Sequence, residues 1–314
     1  MLVSNNYDTV FRTLVNDCPD LLIPFVNEVF GEHFSSETPI IFHPNEHFIN
    51  QTDGNLSERI TDTCFEILGD IPKKYHIECQ STADNSMLIR MFEYGAQIAL
   101  DQGELKENIL TVNFPNSAVL YLRCTKNTPD KIRVIINTPA GKLNYEVAVV
   151  KIHSYTLEEI FHKKLLFLIP FYIFTHESLF SVYNDNEEQF KLLKAEYELI
   201  QTKLEMLSIS GDITEYTKRI LAELSIAVIN YLAKNYAKVQ KGVSNIMLGA
   251  TIETNAKKLL NQGISQGISQ GISQGVAQGK LDTILELLRE GLISISTAAQ
   301  KLDLSEEEVK KMLK

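Results

Sequence analysis

The sequence predicts an α/β (α+β) protein, with a mixed sheet flanked by helices and then a helical C-terminal half. Three observations predict it. Helical periodicity opens the chain, strand-like segments fill residues 59–152 around one helix, and helical periodicity returns from about residue 155. With 314 residues, 44% hydrophobic and 22% charged, the chain carries enough apolar material for a core of normal size.

In "YDTVFRTLVNDCPDLLIPFVNEVFG" (7–31), Val10, Leu14, Leu21, Leu22, Phe25, Val26, Val29 and Phe30 recur at helical steps. Gly31 stands as a helix stop, and "CPDLL" divides the stretch into two helices. Residues 39–58 are polar and read as irregular. "RITDTCFEILG" (59–69) and "KYHIECQS" (74–81) read as the two strands of a hairpin around "DIPK". A tight turn over Asp70–Lys74 would set Glu66 opposite Glu78 and Asp62 nearer Gln80. "DNSMLIRMFEYGAQIAL" (84–100) predicts a helix capped by Asp84 or Asn85, with Met87, Met91, Tyr94 and Ile98 at helical spacing. "AVLYLRCT" (118–125), "KIRVIINT" (131–138) and "LNYEVAVVKI" (143–152) have the alternation of strands, with turns at "KNTPD" and "PAGK". "LEEIFHKKLLFLIPFYIF" and two long amphipathic segments, 186–208 and 212–240, then predict helices.

The net charge of −10 argues against a protein that grips nucleic acid by bulk charge; contact with DNA would need a local basic patch or metal ions that offset the acids. No run of about 18 apolar residues is present, and "LLFLIPFYIF" (165–174) is too short to span a bilayer. The first residues lack a basic region followed by an apolar one. Cys18, Cys64, Cys79 and Cys124 sit singly, without C-x-x-C spacing. The expectation is a reduced, cytoplasmic protein with no membrane association.

"KKYHIECQST" (73–82) interrupts an apolar strand with Glu78 and Gln80. Being two apart, both project from one strand face, while Ile77 and Cys79 turn toward a core. Such a pair is either a solvated face or a site. Asp62, sixteen positions upstream, completes a D…E-x-Q pattern across the hairpin. Two carboxylates and an amide on neighbouring strands can ligate a hard divalent cation through oxygen, and such a cation activates water and stabilises the charge that grows on a phosphodiester.

The combination "RITDTCFEI…KYHIECQSTADNSMLIRMFEYGAQIA", with an R-x-x-D strand, an E-x-Q-S strand and a helix bearing R-M-x-E-Y, resembles the PD-(D/E)XK nuclease family transposases, or Rpn recombination-promoting nucleases. The resemblance extends through "YDTVFRTL" and "VLYLRCTKNTPDKIRV…YEVAVVKIHSYTLEEIFHKKLLFLIPFYIF" to the Gln-Gly repeats and covers most of the chain. It implies a restriction-endonuclease-like core, Mg2+- (or Mn2+-) dependent cleavage of DNA, and a role in recombination or mobile-element activity. Carried over by position, Asp62 and Glu78 are metal ligands and catalytic with Gln80, which stands where the usual motif has lysine. Asp8 matches an acidic residue of the first helix, and Arg90 and Tyr94 are possible accessory residues that hold a phosphate or a neighbouring acid. Lys73, Lys74, Arg59 and Arg90 are the basic residues nearest in sequence to this set. The contrasting reading is a catalytically decayed relative that oligomerises or tethers DNA, favoured by the acidic charge and the missing lysine.

By this reading residues 1–175 form the nuclease core and 176–260 a helical region. Residues 261–280 form a linker or oligomerisation helix, and 281–314 a small helical tail. "QGISQGISQGISQGVAQG" (262–279) repeats every four residues, so on a helix its glycines wind beside Ile264, Ile268, Ile272 and Val276. It is either a flexible tether, since each helical glycine costs roughly 1 kcal/mol relative to alanine, or a helix that pairs with a second copy; the expectation is a homodimer that associates through residues 255–290. In the tail, "SIST" and "LSEEE" each offer a serine cap, as half of a helix-turn-helix or as a plain helical hairpin.

Overall fold

The computed structural model describes residues 6–43, 46–50, 56–60, 63–82, 86–249, 279, 283–289, 292–302 and 304–312. The chain divides into two compact units, Met1–Thr251 and Ile252–Lys314.

The first unit is α+β. Helix α1 (Asn6–Asp17) ends at a short 3-10 turn, Pro19–Leu21, before α2 (Leu22–Phe30). Proline at the turn's start costs no intrahelical hydrogen bond, and Gly31 closes α2 at φ 66°, a left-handed conformation that glycine adopts without Cβ strain. Both the break and the stop stand where the sequence puts them. The strands are β1 (Ile40–Phe42), β2 (Glu46–Asn50), β3 (Leu56–Ile60), β4 (Thr63–Ile67) and β5 (Lys73–Thr82). Helix α3 (Ser86–Asp101) leads into the small β6 (Glu104–Lys106) and β7 (Ile109–Thr111) hairpin. After it come β8 (Asn116–Arg123), β9 (Lys131–Thr138) and β10 (Gly141–Lys151). Six strands form one mixed sheet in the order β1-β4-β5-β8-β10-β9, in which β8 runs parallel to both β5 and β10 and the other pairs are antiparallel.

The stretch 39–58, expected to be irregular, contains β1, most of β3 and all of β2, and the expected single strand at 59–69 is divided between β3 and β4 in different sheets. Strands of three to five residues are too short for alternation to register against polar neighbours. The hairpin β6–β7 was not expected either. Asp84 and Asn85, the expected caps of α3, lie outside the described residues.

Beyond the sheet come α4 (Leu157–His162), a 3-10 run over Leu166–Leu179, α5 (Phe180–Asp185), α6 (Glu187–Ser210), α7 (Glu215–Leu232) and α8 (residues 237–249). A capping box starts α4: Thr156 Oγ1 accepts from the Glu159 N–H, and Glu159 accepts from the Thr156 N–H. The 3-10 run replaces an expected α-helix. Leu166 to Phe174 are buried on every side, so no amphipathic period marks a helix, and Pro170 supplies no N–H. Leu166–Asp185 is long and apolar enough to cross a membrane by length and composition, yet most of it is buried inside this fold. The expected long helix over 212–240 breaks at 233–236. All four cysteines are free thiols.

The sheet has two different faces. Tyr75, Ile77, Cys79, Leu120, Leu122 and Val150 join α1, α2 and the 3-10 run in the large core. On the other face Met87 and Met91 of α3 cover Val119, Tyr121, Ile132 and Val147. Strand β8 is buried on both, and its "AVLYL" is accordingly an unbroken apolar run.

In the second unit, residues 283–289, Ile295–Leu302 and Glu306–Met312 are helical around Ile284, Ala298, Ala299 and Val309. Both serine caps are present. Ser294 Oγ accepts from the Thr297 N–H at 3.1 Å, and Ser305 and Glu308 form a capping box. Residues 262–278 of the repeat, and with them the choice between tether and pairing helix, lie outside the described residues.

Phe167 is fully buried, with ring centroids 5.3 Å from Phe11 and 5.4 Å from Phe25, and so joins α1, α2 and the 3-10 run. Phe167→Ala is expected to cost about 3–5 kcal/mol, read as a lowered denaturant midpoint with little change in slope.

Candidate functional site

The site is built on β5, which lies between β4 and β8. Its odd residues Tyr75, Ile77 and Cys79 enter the large core, as the alternation predicts. The even residues His76, Glu78 and Gln80 face the other way, toward α3. Glu78 is only 2% exposed, so it is not part of a solvated face. A carboxylate buried like this is tolerated only with compensating partners. His76, fully buried and two residues away on the same face, supplies one: its Nε2 lies 2.8 Å from Glu78 Oε1. With Glu78 ionised, His76 Nε2–H donates and the carboxylate accepts. The Tyr94 ring meets the His76 ring edge-on at 5.8 Å, and His76 Nδ1 is buried without a hydrogen-bond partner among the described residues.

Asp8, in the first turn of α1, completes the electrostatics. Burial pushes its carboxyl above the ordinary range, Arg12 one turn along pulls it down, Glu78 pushes it up, and Arg90 of α3 pulls it down. Three charged groups, from α1, β5 and α3, therefore act on Asp8. Arg90 Nε is buried with no hydrogen-bond partner among the described residues, so this guanidinium keeps a donor in reserve.

The structure thus brings Glu78, Asp8, Arg90 and Tyr94 into one neighbourhood, with Gln80 half-buried one step further along the same strand face. Asp62 lies outside the described residues. The hairpin register corrects one expectation. Pairing runs from Thr63↔Ile77 to Ile67↔Lys73, so Glu66 stands opposite Lys74 and not opposite Glu78. The reason is the connection: residues 68–72 all lie outside the ladder, a wider loop than the tight turn. Of the basic residues near the pattern, Lys73 is taken up by both oxygens of Glu32 at 2.8 Å, and Lys74 donates to the Gln102 side chain. Nothing of the Arg59 side chain is described.

His76 and Arg12 were not foreseen. Each carried a signal: His76 has the parity of Glu78 on the strand, and Arg12 is four residues from Asp8 on a helix.

Among the described residues, no group of three or more His, Cys, Asp or Glu side chains is gathered as a metal cage. Burial first and then the negative charge of Glu78 nevertheless raise the Asp8 carboxyl, and Gln80 adds an amide on the strand face that carries Glu78. All three are hard oxygen donors of the kind that magnesium and manganese accept, so the residues present fit such an ion. Compared with protein-family models, curated proteins and solved structures, the chain matches none.

Two measurements follow from the pair. Glu78→Gln removes a negative neighbour, so the Asp8 pKa should fall toward 3.8, followed by NMR titration of the carboxyl carbon. Because the folded pKa of Asp8 is raised, the folded state binds its proton more tightly than the unfolded chain. That stabilisation is complete below 3.8 and is lost as pH rises through the folded value. Asp8→Asn should therefore raise Tm at neutral pH, with the gain shrinking as pH falls toward 3.8. An increment independent of pH would contradict this.

Proposed function

We propose that the protein is a Mg2+- or Mn2+-dependent DNA endonuclease with a restriction-endonuclease-like PD-(D/E)XK core, of the kind its motifs resemble. The observation that carries this reading is the burial of Glu78 on the central strand within charge range of Asp8. That arrangement costs stability in the bare protein, and a bound cation would relieve it. Further support comes from the ladder: Thr63, next to Asp62, pairs with Ile77, next to Glu78.

Asp62 and Glu78 would hold the ion, with Asp8 as the additional acid. When bound, the ion supplies an activated water and charge stabilisation at the phosphodiester. The chain's own residues do the remaining work. His76 fixes the rotamer of Glu78 through the 2.8 Å contact to Oε1. Gln80 orients water, its carbonyl oxygen accepting and its amide donating, without the charge a lysine would bring. Arg90 offers its N–H groups to a phosphate oxygen, a charge-assisted contact. Since the net charge is −10 and both Lys73 and Lys74 are engaged, affinity for DNA should depend on divalent metal more than on a cationic surface.

Plasmid nicking with and without Mg2+ tests the reading. Glu78→Ala and Asp62→Ala should each lower cleavage by at least about 10²-fold, the scale for loss of one preorganised electrostatic group, while Gln80→Ala should lower it less. Cleavage by Glu78→Ala at the wild-type rate would sink the assignment. A folded wild type that binds DNA but cuts in neither metal would favour the tethering module instead.

A further inference from the structure

One flank of α3 and the adjoining β6–β7 hairpin carry an apolar surface that the fold leaves open. Ile89, 63% exposed, begins a stripe that continues through the exposed Phe92 and Leu100, beside the buried Met87, Met91 and Ile98. The hairpin adds Leu105 and Leu110, 74% and 54% exposed, which are cross-strand partners. The hairpin lies against the end of α3: Leu110 Cδ1 stands 3.1 Å from where a Cβ on Gly103 would be, and the Leu100 carbonyl 3.2 Å from it. Phe114, also exposed, stacks on Phe92 at 6.5 Å and so widens the apolar surface on the helix side. On the helix Ile89, Phe92 and Leu100 lie within about 80° of one another, and the paired hairpin leucines follow it in the chain.

The hairpin makes little sense alone. All six of its strand residues are exposed, and an isolated two-stranded ribbon is marginal in water. Its turn, Glu107 at φ 49° and Asn108 at φ 69°, takes the left-handed pair that matches strand twist, with Glu107 in a conformation a non-glycine residue adopts at a cost.

We propose that this face is a homodimer interface, its occupant a second copy of the same chain. Area is the first argument. The six side chains expose on the order of 600 Å² of apolar surface, at the upper limit for a solitary monomer. Two copies face to face would cover about 1,200 Å², where specific interfaces begin. Charge is the second argument. Glu104 and Lys106 alternate with Leu105 along β6, so they stand on the other side of the ribbon from Leu105 and Leu110, where they pair with each other at 3.3 Å. A two-fold axis would set the Leu105–Leu110 side against its own copy and leave both of these charges in water. A nucleic acid or an anionic membrane would select a uniformly basic rim. The proposal does not depend on nuclease activity.

Sedimentation or light scattering of the full chain at tens of micromolar provides the test. Wild type should be a dimer, and so should the protein lacking 262–279. Leu105→Glu combined with Leu110→Glu, both at exposed positions, should keep the wild-type circular dichroism and melting profile but run as a monomer, with association weakened at least about 10²-fold. If the double variant fails to fold, Ile89→Glu provides the same reading from the helix side. A monomeric wild type, a folded Glu variant with dimeric mass, or loss of the dimer on deleting 262–279 alone would each overturn the proposal.

Discussion

A carboxylate withdrawn from water on an inner strand of the sheet is the constraint around which this protein is arranged. Glu78 can be ionised there only if its surroundings replace the hydration it loses. His76 offers a hydrogen bond from the same strand, and Arg90, from α3, belongs to the charge set that Glu78 shares with Asp8 and Arg12. The alternation that turns Glu78 toward α3 also sends Ile77 and Cys79 into the large core. A one-residue slip of β5 would put the acid among Phe65, Leu120 and the 3-10 run and lift two apolar residues out. Site and core are specified by the same register.

Position along α1 is fixed from its other side. Tyr7 is buried, with Phe174 and Tyr231 edge-on at 6.0 Å each, so the turn that carries Asp8 is anchored by an aromatic neighbour. Phe174 also lies under Arg123, whose guanidinium makes paired contacts of 2.5 and 2.7 Å to Glu177. Because Arg123 ends β8 and pairs with Thr82 at the end of β5, the strand ends and the start of α1 are tied to the same 3-10 segment. Bidentate geometry and a ring beneath the guanidinium make this pair more than a surface ion pair.

What could be read from the sequence follows from how much burial each segment has. Strands β5, β9 and β10 and helices α1, α2, α3 and α6 present long periodic patterns, because one face of each meets a core, and β8, buried on both faces, presents an unbroken apolar run. The 3-10 run hides its geometry for the opposite reason: with Leu166 to Phe174 buried all round, the pattern holds no phase. The short β1, β6 and β7 hide theirs because their residues are largely exposed. At the site, Glu78, Asp8, Arg90 and Tyr94 were found through motif positions, and their convergence needed the fold. His76 was legible by parity alone. The register of β4 on β5 was not, because it depends on the length of the loop 68–72, which sequence patterns do not fix.

Helix α3 joins these themes. At about 100° per residue, Ile89, Arg90 and Met91 point in three directions. Met91 enters the core on the sheet, Arg90 joins the charges of Asp8, and Ile89 opens the apolar flank. Anything seated on that flank presses on the helix that carries Arg90 and Tyr94, and Tyr94 in turn rests on the histidine that holds Glu78. Packed interiors transmit such displacements because they have few voids to absorb them. Assembly on the proposed stripe would therefore bear on the geometry of the buried acid through this helix, with Tyr94 and His76 as the contacts between them.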